Sequence, residues 1–260
     1  PGRPWQADPA QVEAGLFGTI LGGDALDEQR IEPRAGVAWT PTEGQYLRAG
    51  YLREPSPINF ATLAPIGVVG LQSNQVGLAP DGYSDTFAAR WDAEWTNRLF
   101  TSVDYQHQEL HDLSLAVPAS ADTLDLSQGR IDRVAATANV WIGGGFGAFA
   151  TLAYTDSQNE DPLSPGYGLA LPFVPDLAAR AGFTYVNPAN VKLSVWASYV
   201  GDRIGDDVGT ELDPFWTLDG SLTWEPFDKR FELDLAAYNL LDEDFQVAAN
   251  TPGWGRTIVG

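Results

Sequence analysis

The chain lacks cysteine and methionine entirely, and it carries only two histidines, His107 and His111, in 260 residues. The lack of thiols excludes disulfides and thiolate metal centres. Two histidines leave little material for a histidine metal cage or a serine–histidine–aspartate centre. Charge is also scarce, at 19% of residues, and it is one-sided: 35 acids against 15 Lys and Arg give a formal net charge of -20. So acidic a chain excludes a nucleic-acid partner, which needs a basic footprint. No apolar run approaches the ~20 residues that a membrane-spanning helix needs. No secretory leader is present, and the chain opens on Pro1, which predicts a processed product or a piece of a longer protein. What is plentiful is glycine (27), proline (18) and aromatic residues (12%).

The dominant pattern is period-two alternation over about ten residues at a time, which predicts β-strands. Leu99, Val103 and Tyr105 share one face, with Ser102, Asp104, Gln106 and Gln108 on the other. Val191, Leu193, Val195, Ala197 and Tyr199 oppose Lys192, Ser194, Trp196 and Ser198, and Phe231, Leu233, Leu235 and Ala237 oppose Glu232 and Asp234. Twelve strands follow, at 12–20, 30–39, 44–53, 84–95, 99–110, 128–142, 146–156, 177–187, 190–201, 215–225, 230–241 and 255–260.

Short and long connections alternate between them. The short ones are TPTE, TNR, GGG, NPAN and PFDK, and the long ones span 21–29, 54–83, 111–127, 157–176, 202–214 and 242–254. Strands near ten residues, trimmed at one end and elaborated at the other, suit a tilted bilayer crossing better than a soluble sandwich. The expectation is an all-β fold: an antiparallel up-and-down transmembrane β-barrel of about 12 strands. Its short turns would be periplasmic and its long loops extracellular, in one domain over residues 1–260 that can be the C-terminal part of a larger protein.

The aromatics support that geometry. Trp39 in GVAWTPTEG, Trp95 in AEWTNRL, Trp141 in NVWIGGG and Trp224 in LTWEPFD all precede short turns, and Tyr185 precedes the turn at Asn187-Pro188. Indole and phenol rings are favourable where hydrocarbon meets wet headgroups. By simple alternation Trp141 and Trp224 fall on the inward face unless a bulge shifts them.

Charges sort as well. Most of the 35 acids lie in or beside the long connections, whereas Arg34, Arg48, Arg90, Arg133, Arg180 and Lys192 share the parity of the polar, lumenal face. A charge at mid-bilayer on the lipid side costs about 2–4 kcal/mol, which favours the lumen. Arg90, Asp92 and Glu94 form a lumenal rung in DTFAARWDAEW, either selecting solutes or closing an internal ion network. Arg34 and Arg48, on adjacent strands, would attract anions together with Arg90.

The stretch AYNLLDEDFQVAANTPGWGRTIVG (237–260) resembles the last hairpin of TonB-dependent outer-membrane receptors. The matching residues are Asn239, Leu240, Leu241 and Asp242, then Pro252, Gly253, Arg256 and Thr257. Residues 31–66 are similar to a receptor hairpin with its outer loop, and also to barrels attached to periplasmic tetratricopeptide-repeat proteins. The resemblance implies a bacterial outer-membrane location, contact with lipid and lipopolysaccharide, and a lumen that passes a solute or polymer. It also implies a plug, an energy-coupling module or a tetratricopeptide-repeat module outside this chain. The alternative is a barrel that anchors such a module without transport. Full receptors have about 22 strands and a plug, a pattern this sequence does not show.

Other motifs carry less. Asp202, Asp206 and Asp207 in GDRIGDDVGTELD are the candidates for a hard cation, against a plain solvated loop, and the spacing matches no calcium loop. IGGGFG lacks the Lys-Ser/Thr of a phosphate loop and reads as a hairpin turn. On a strand, His107 and His111 stand ~13 Å apart, too far to share one metal. No carboxylate pair stands out for hydrolysis, so neither enzyme activity nor a cofactor is expected.

Overall fold

Period-two alternation becomes one antiparallel sheet in the computed structural model, which describes residues 9–22, 27–55, 67–187, 190–225 and 230–259. In chain order the strands are β1 (Ala10–Gly22), β2 (Asp27–Thr42), β3 (Gln45–Pro55), β4 (Leu78–Thr96), β5 (Leu99–Ala116) and β6 (Thr123–Gly143). They continue with β7 (Phe146–Asn159), β8 (Leu177–Asn187), β9 (Val191–Val200), the short pair β10 (Arg203–Ile204) and β11 (Glu211–Leu212), and β12 (Phe215–Trp224). Last come β13 (Leu233–Tyr238), a second short pair β14 (Gln246–Ala248) and β15 (Thr251–Pro252), and β16 (Thr257–Val259). The main sheet has 12 strands in the order β1-β2-β3-β4-β5-β6-β7-β8-β9-β12-β13-β16, each paired with its sequence neighbour. Among the described residues β1 and β16 are its two edges.

Register assigns the faces. Val12, Leu16 and Ile20 project from the outer face and are 70–80% exposed, as a lipid-facing stripe must be in the absence of lipid. In β8, β9 and β12 the outward pairs are Tyr185↔Leu193, Ala181↔Ala197, Leu193↔Leu222 and Tyr199↔Trp216. The inward partners are polar or small, as in Thr184↔Ser194 and Arg180↔Ser198. From Val191 to Tyr199 the apolar face of β9 covers nine residues, or ~20 Å of height at a 40° tilt, close to the usual apolar band.

Three strands extend about five or six residues further toward the long loops than alternation predicts. β4 starts at Leu78, β5 continues to Ala116 and β6 starts at Thr123. Pro80, Gly82 and Asp112 read as breakers, but the sheet absorbs them. Asp112 takes a positive φ of 54°, and the β4–β5 register shifts between Leu78 and Tyr83. Beyond Asp112 the pairs Leu113↔Leu126 and Leu115↔Leu124 build a hydrophobic cluster with Leu110, Ile131 and Leu171. Leu171 comes from the 160–176 connection and is fully buried. A Cβ on Gly129 would sit 3.0 Å from it, so the glycine makes its seat.

The last two outer loops are equally ordered. Arg203 is 7% exposed and donates to the carbonyls of Gly201 (3.3 Å), Asp213 (3.2 Å) and Gln246. Phe215 lies beneath its guanidinium and stacks on Phe245 at 4.0 Å between centroids. Asn239 is the hub of the final loop. Its N–H donates to Asp219 Oδ1 (2.9 Å), its amide donates to the Glu243 (2.9 Å) and Trp254 (3.1 Å) carbonyls, and its Oδ1 accepts from Glu243 N–H (2.9 Å). Asp242 Oδ1 accepts from Arg256 N–H at 3.0 Å, and a Cβ on Gly253 would fall 2.1 Å from Phe245. The Asn-Leu-Leu-Asp stretch and the Pro-Gly-x-x-Arg stretch are therefore two sides of one folded loop. Asn239→Ala strips this hub and should cost about 2–4 kcal/mol, with residues 242–254 opening to protease while the strands stay protected.

Candidate lumenal site and membrane girdles

The first, lower girdle is the set of five aromatics beside the short turns. Trp39, Trp95, Trp141 and Trp224 are 41–52% exposed beside the short turns. Tyr185 packs on Phe146 at 4.4 Å between centroids, across β7 and β8. Trp95 keeps its indole N–H bonded to Thr101 Oγ1 at 2.8 Å, beside a bulge at Glu94–Thr96. The inward expectation for Trp224 is corrected: it pairs with Val191 and shares its outward face. Pairing with Lys192↔Thr223 and Leu193↔Leu222 sets that parity, whereas counting across the preceding loop misplaced it. Trp141 pairs with Gly147 and keeps inward parity at the rim.

A second girdle escaped the sequence reading. Tyr51, Phe87, Tyr105, Tyr154, Tyr199 and Trp216 stand on the outward face toward the long-loop ends. Part of the signal was present, since Phe87 and Trp216 each stand eight residues before a lower tryptophan, Trp95 and Trp224, but long connections hide which end of a strand such a ring marks. Above it the outward face turns polar. Arg53 forks onto Asp85 through Nε and NH2, both at 2.7 Å, and Tyr51 donates to the same carboxylate. His107 Nδ1 lies 2.9 Å from Asp132, which also accepts from Tyr105 at 2.8 Å.

On the inner face most lumenal candidates are paired ions. Arg48 and Arg90 stand opposite each other on β3 and β4, and both bind Asp92, Arg90 at 2.9 Å. Arg34 is 7% exposed and lies 3.9 Å from Glu54 and over the Phe17 ring. Arg133 reaches Asp104 at 3.2 Å. Glu94 sits exposed at the turn end of the rung and pairs in register with Phe100.

Arg180 differs: its guanidinium lies 4.6 Å from the Trp196 ring and 6.0 Å from Phe149, with no carboxylate in salt-bridge reach among the described residues. Thr151 and Ser198 flank it in register. Lys192, exposed near the short-turn end of β9, is likewise without an acidic partner there.

The acidic loop does not gather a cation shell. Asp206 folds back on its own loop, accepting N–H bonds from Val208 (3.1 Å) and Thr210 (2.8 Å) and the Thr210 hydroxyl. Burial pushes its carboxyl upward, but those donors outweigh it and hold the carboxyl below its usual range. Asp202, Asp206 and Asp207 form no ligand set among the described residues. The one that does is Asp85, Glu109 and His111, with ligand atoms within 4.8 Å of one another on the outward face. Arg53 already neutralises Asp85, and His111 stacks on Tyr83 at 4.3 Å.

Two aromatic belts around an apolar face, with ions turned inward, define the wall of a transmembrane β-barrel. A family model described as TonB dependent receptor-like, beta-barrel, matches residues 13–240, and the chain belongs to that family of bacterial outer-membrane proteins. No curated protein matches it. Among solved structures, it is similar to the siderophore receptor PiuA from Acinetobacter baumannii, at 17% identity and TM-score 0.65, covering 96% of this chain and 40% of that one. The ferric yersiniabactin uptake receptor FyuA from Yersinia pestis gives 16% identity and TM-score 0.64, covering 90% and 37%. The ferric enterobactin receptor PfeA from Pseudomonas aeruginosa, as its R480A mutant, gives 15% identity and TM-score 0.66, covering 97% and 42%. The chain thus spans about two fifths of these receptors' length.

Asp161 yields a pH test of the outer loops. The N–H groups of Ser127 (3.0 Å) and Leu163 (2.9 Å) donate to its carboxyl and hold it below the usual carboxylate range. A lowered folded value means stability that is complete above the unfolded value, near 3.8, and lost as pH falls through the folded one. Residues 160–176 should therefore resist protease above about pH 5 and open in stronger acid. Asp161→Asn should abolish that acid step.

Proposed function

We propose that this chain is wall and outer-loop structure of an energised uptake receptor in the bacterial outer membrane. What carries the reading is the inner face: rich in charge, ion-paired on β3–β6, yet with Arg180 and Lys192 left open on β8 and β9. Open cations on a lumenal wall favour an anionic solute. Metal chelates, such as the ferric yersiniabactin and ferric enterobactin after which similar receptors are named, are the class of cargo to test first. Among the described residues β1 and β16 are the edges of the sheet, and an open edge cannot stand in hydrocarbon, so in this reading the wall closes through further strand pairing at those edges. A plug and an energy-coupling module complete the receptor. The charged outward belt above the upper girdle, Arg53 and Arg130 with Asp85 and Asp132, meets lipopolysaccharide headgroups.

The test is uptake of a panel of ferric chelates by cells carrying the intact receptor, with and without a proton gradient. Uptake should disappear when the gradient is collapsed, and Arg180→Glu should lower it at least about tenfold while Arg180→Lys retains most of it. No uptake of any chelate by correctly folded protein would instead favour an anchor.

A further inference from the structure

Residues 67–77 lie along the inner wall, and they touch it in one register row. Pairing aligns Glu13, Gly36, Gly50, Ala88, Gln106 and Arg133 across β1 to β6. Every member of this row meets the segment. Val69 N–H donates to Glu13 Oε2 at 2.8 Å. A Cβ on Gly36 would fall 2.8 Å from Val69 and 3.1 Å from Val68, and one on Gly50 would fall 2.8 Å from Val68. Val69 and Leu71 pack with Ala88. Gln106 accepts from Asn74 N–H at 2.9 Å and donates to the Gln72 carbonyl at 3.1 Å. Arg133 reaches Asn74 Oδ1 at 3.4 Å. One row up, Gln108 donates to the Asn74 carbonyl at 3.1 Å, and two rows up Glu54 accepts from the Ser73 hydroxyl.

The match is chemical as well as spatial. The row is side-chain-free where the turn seats its two valines, and polar where the segment runs extended and leaves its backbone to be satisfied. The turn closes through Val68 N–H to Leu71 O (3.0 Å) and Leu71 N–H to Val68 O (2.8 Å). Val69 adopts φ 43°, a left-handed conformation that is strained for a β-branched residue. Strain of this kind persists only where the surroundings over-determine it. The outward neighbours of the row include Tyr105 and Tyr154, so the segment lies along the wall at the height of the upper girdle.

We infer that residues 67–77 are a lumenal strap that narrows the outer mouth of the passage and sets which solutes enter. Its key is the Val68–Leu71 turn in the Gly36–Gly50 slot. The inference rests on the reading that the inner face lines a passage. The strap turns Gln72 and Gln75 to the open side, so the mouth it leaves is lined by amides.

Thiol labelling tests the docking in the intact receptor, because this stretch brings no native cysteine. Val68 is 2% exposed and Gln72 is exposed. Val68→Cys should react with a membrane-impermeant maleimide at least about tenfold more slowly than Gln72→Cys. Adding Gly50→Val, which strand geometry accepts but the slot does not, should bring the two rates together. Thr151→Val, on the same face away from the strap, should leave the difference intact. Equal rates without Gly50→Val would overturn the docking.

The constriction is tested separately. Cells carrying Gly36→Val/Gly50→Val receptor, with normal heat-modifiable mobility, should take up ferric chelates too bulky for the native receptor to admit. Unchanged size selectivity in that receptor, with its Val68→Cys now reactive, would overturn the constriction and leave energised uptake standing. Lost chelate uptake in the otherwise native receptor would count against the uptake reading instead.

Discussion

A strand in hydrocarbon has no water to bond its amides and carbonyls, and everything else in this protein follows from that. Each unsatisfied group would cost several kcal/mol, so each strand must lie beside another over the full apolar depth. Neighbour-to-neighbour pairing is the simplest way to meet the demand, and β1 to β16 meet it without a crossover. Once the ladder is fixed, alternate side chains have no choice of solvent. Val191 through Tyr199 must face lipid, and Lys192 through Ser198 must face the lumen. The same ladder turns scattered residues into rows, and the row from Glu13 to Arg133 exists only because six strands hold register.

Much of this was legible beforehand, for a physical reason. Period-two patterning and the placement of short turns are local, so all twelve wall strands could be read from the chain. The lower girdle was legible because a short turn tells which end of the strand its tryptophan marks. What stayed hidden depends on pairing. Leu113, Leu115, Leu124 and Leu126 sit among loop-forming residues, and only their cross-strand partners make them strand. The side of Trp224 follows from Val191, thirty-three positions earlier. Glycines at 36 and 50 look like weak points in strands until a distant turn fills the space above them.

The inner face shows how charge is tolerated at membrane depth. Arg48, Arg90 and Asp92 form one compact group, and Arg133 answers Asp104, so each guanidinium meets a carboxylate before it meets a solute. Arg180 is held differently, by aromatic faces, which steady the cation without cancelling its charge. The outer loops use a third device. Arg203 directs its donors to backbone carbonyls, and Asn239 does the same with its amide, so the acidic loops are folded by donors of the protein itself.

The unequal lengths of the strands give the wall a slanted rim. β5 and β6, of 18 and 21 residues, rise ~45–50 Å at a 40° tilt, whereas β9 and β12, of 10 residues each, rise only ~25 Å. One flank therefore stands well clear of the bilayer as a stiff palisade, and the other ends at the headgroups under a roof of folded loops. A phage fibre or antibody approaching from the high flank meets rigid strand ends. From the low flank it meets folded loops, tied to the wall beneath them only at points such as Phe215 and Asp219.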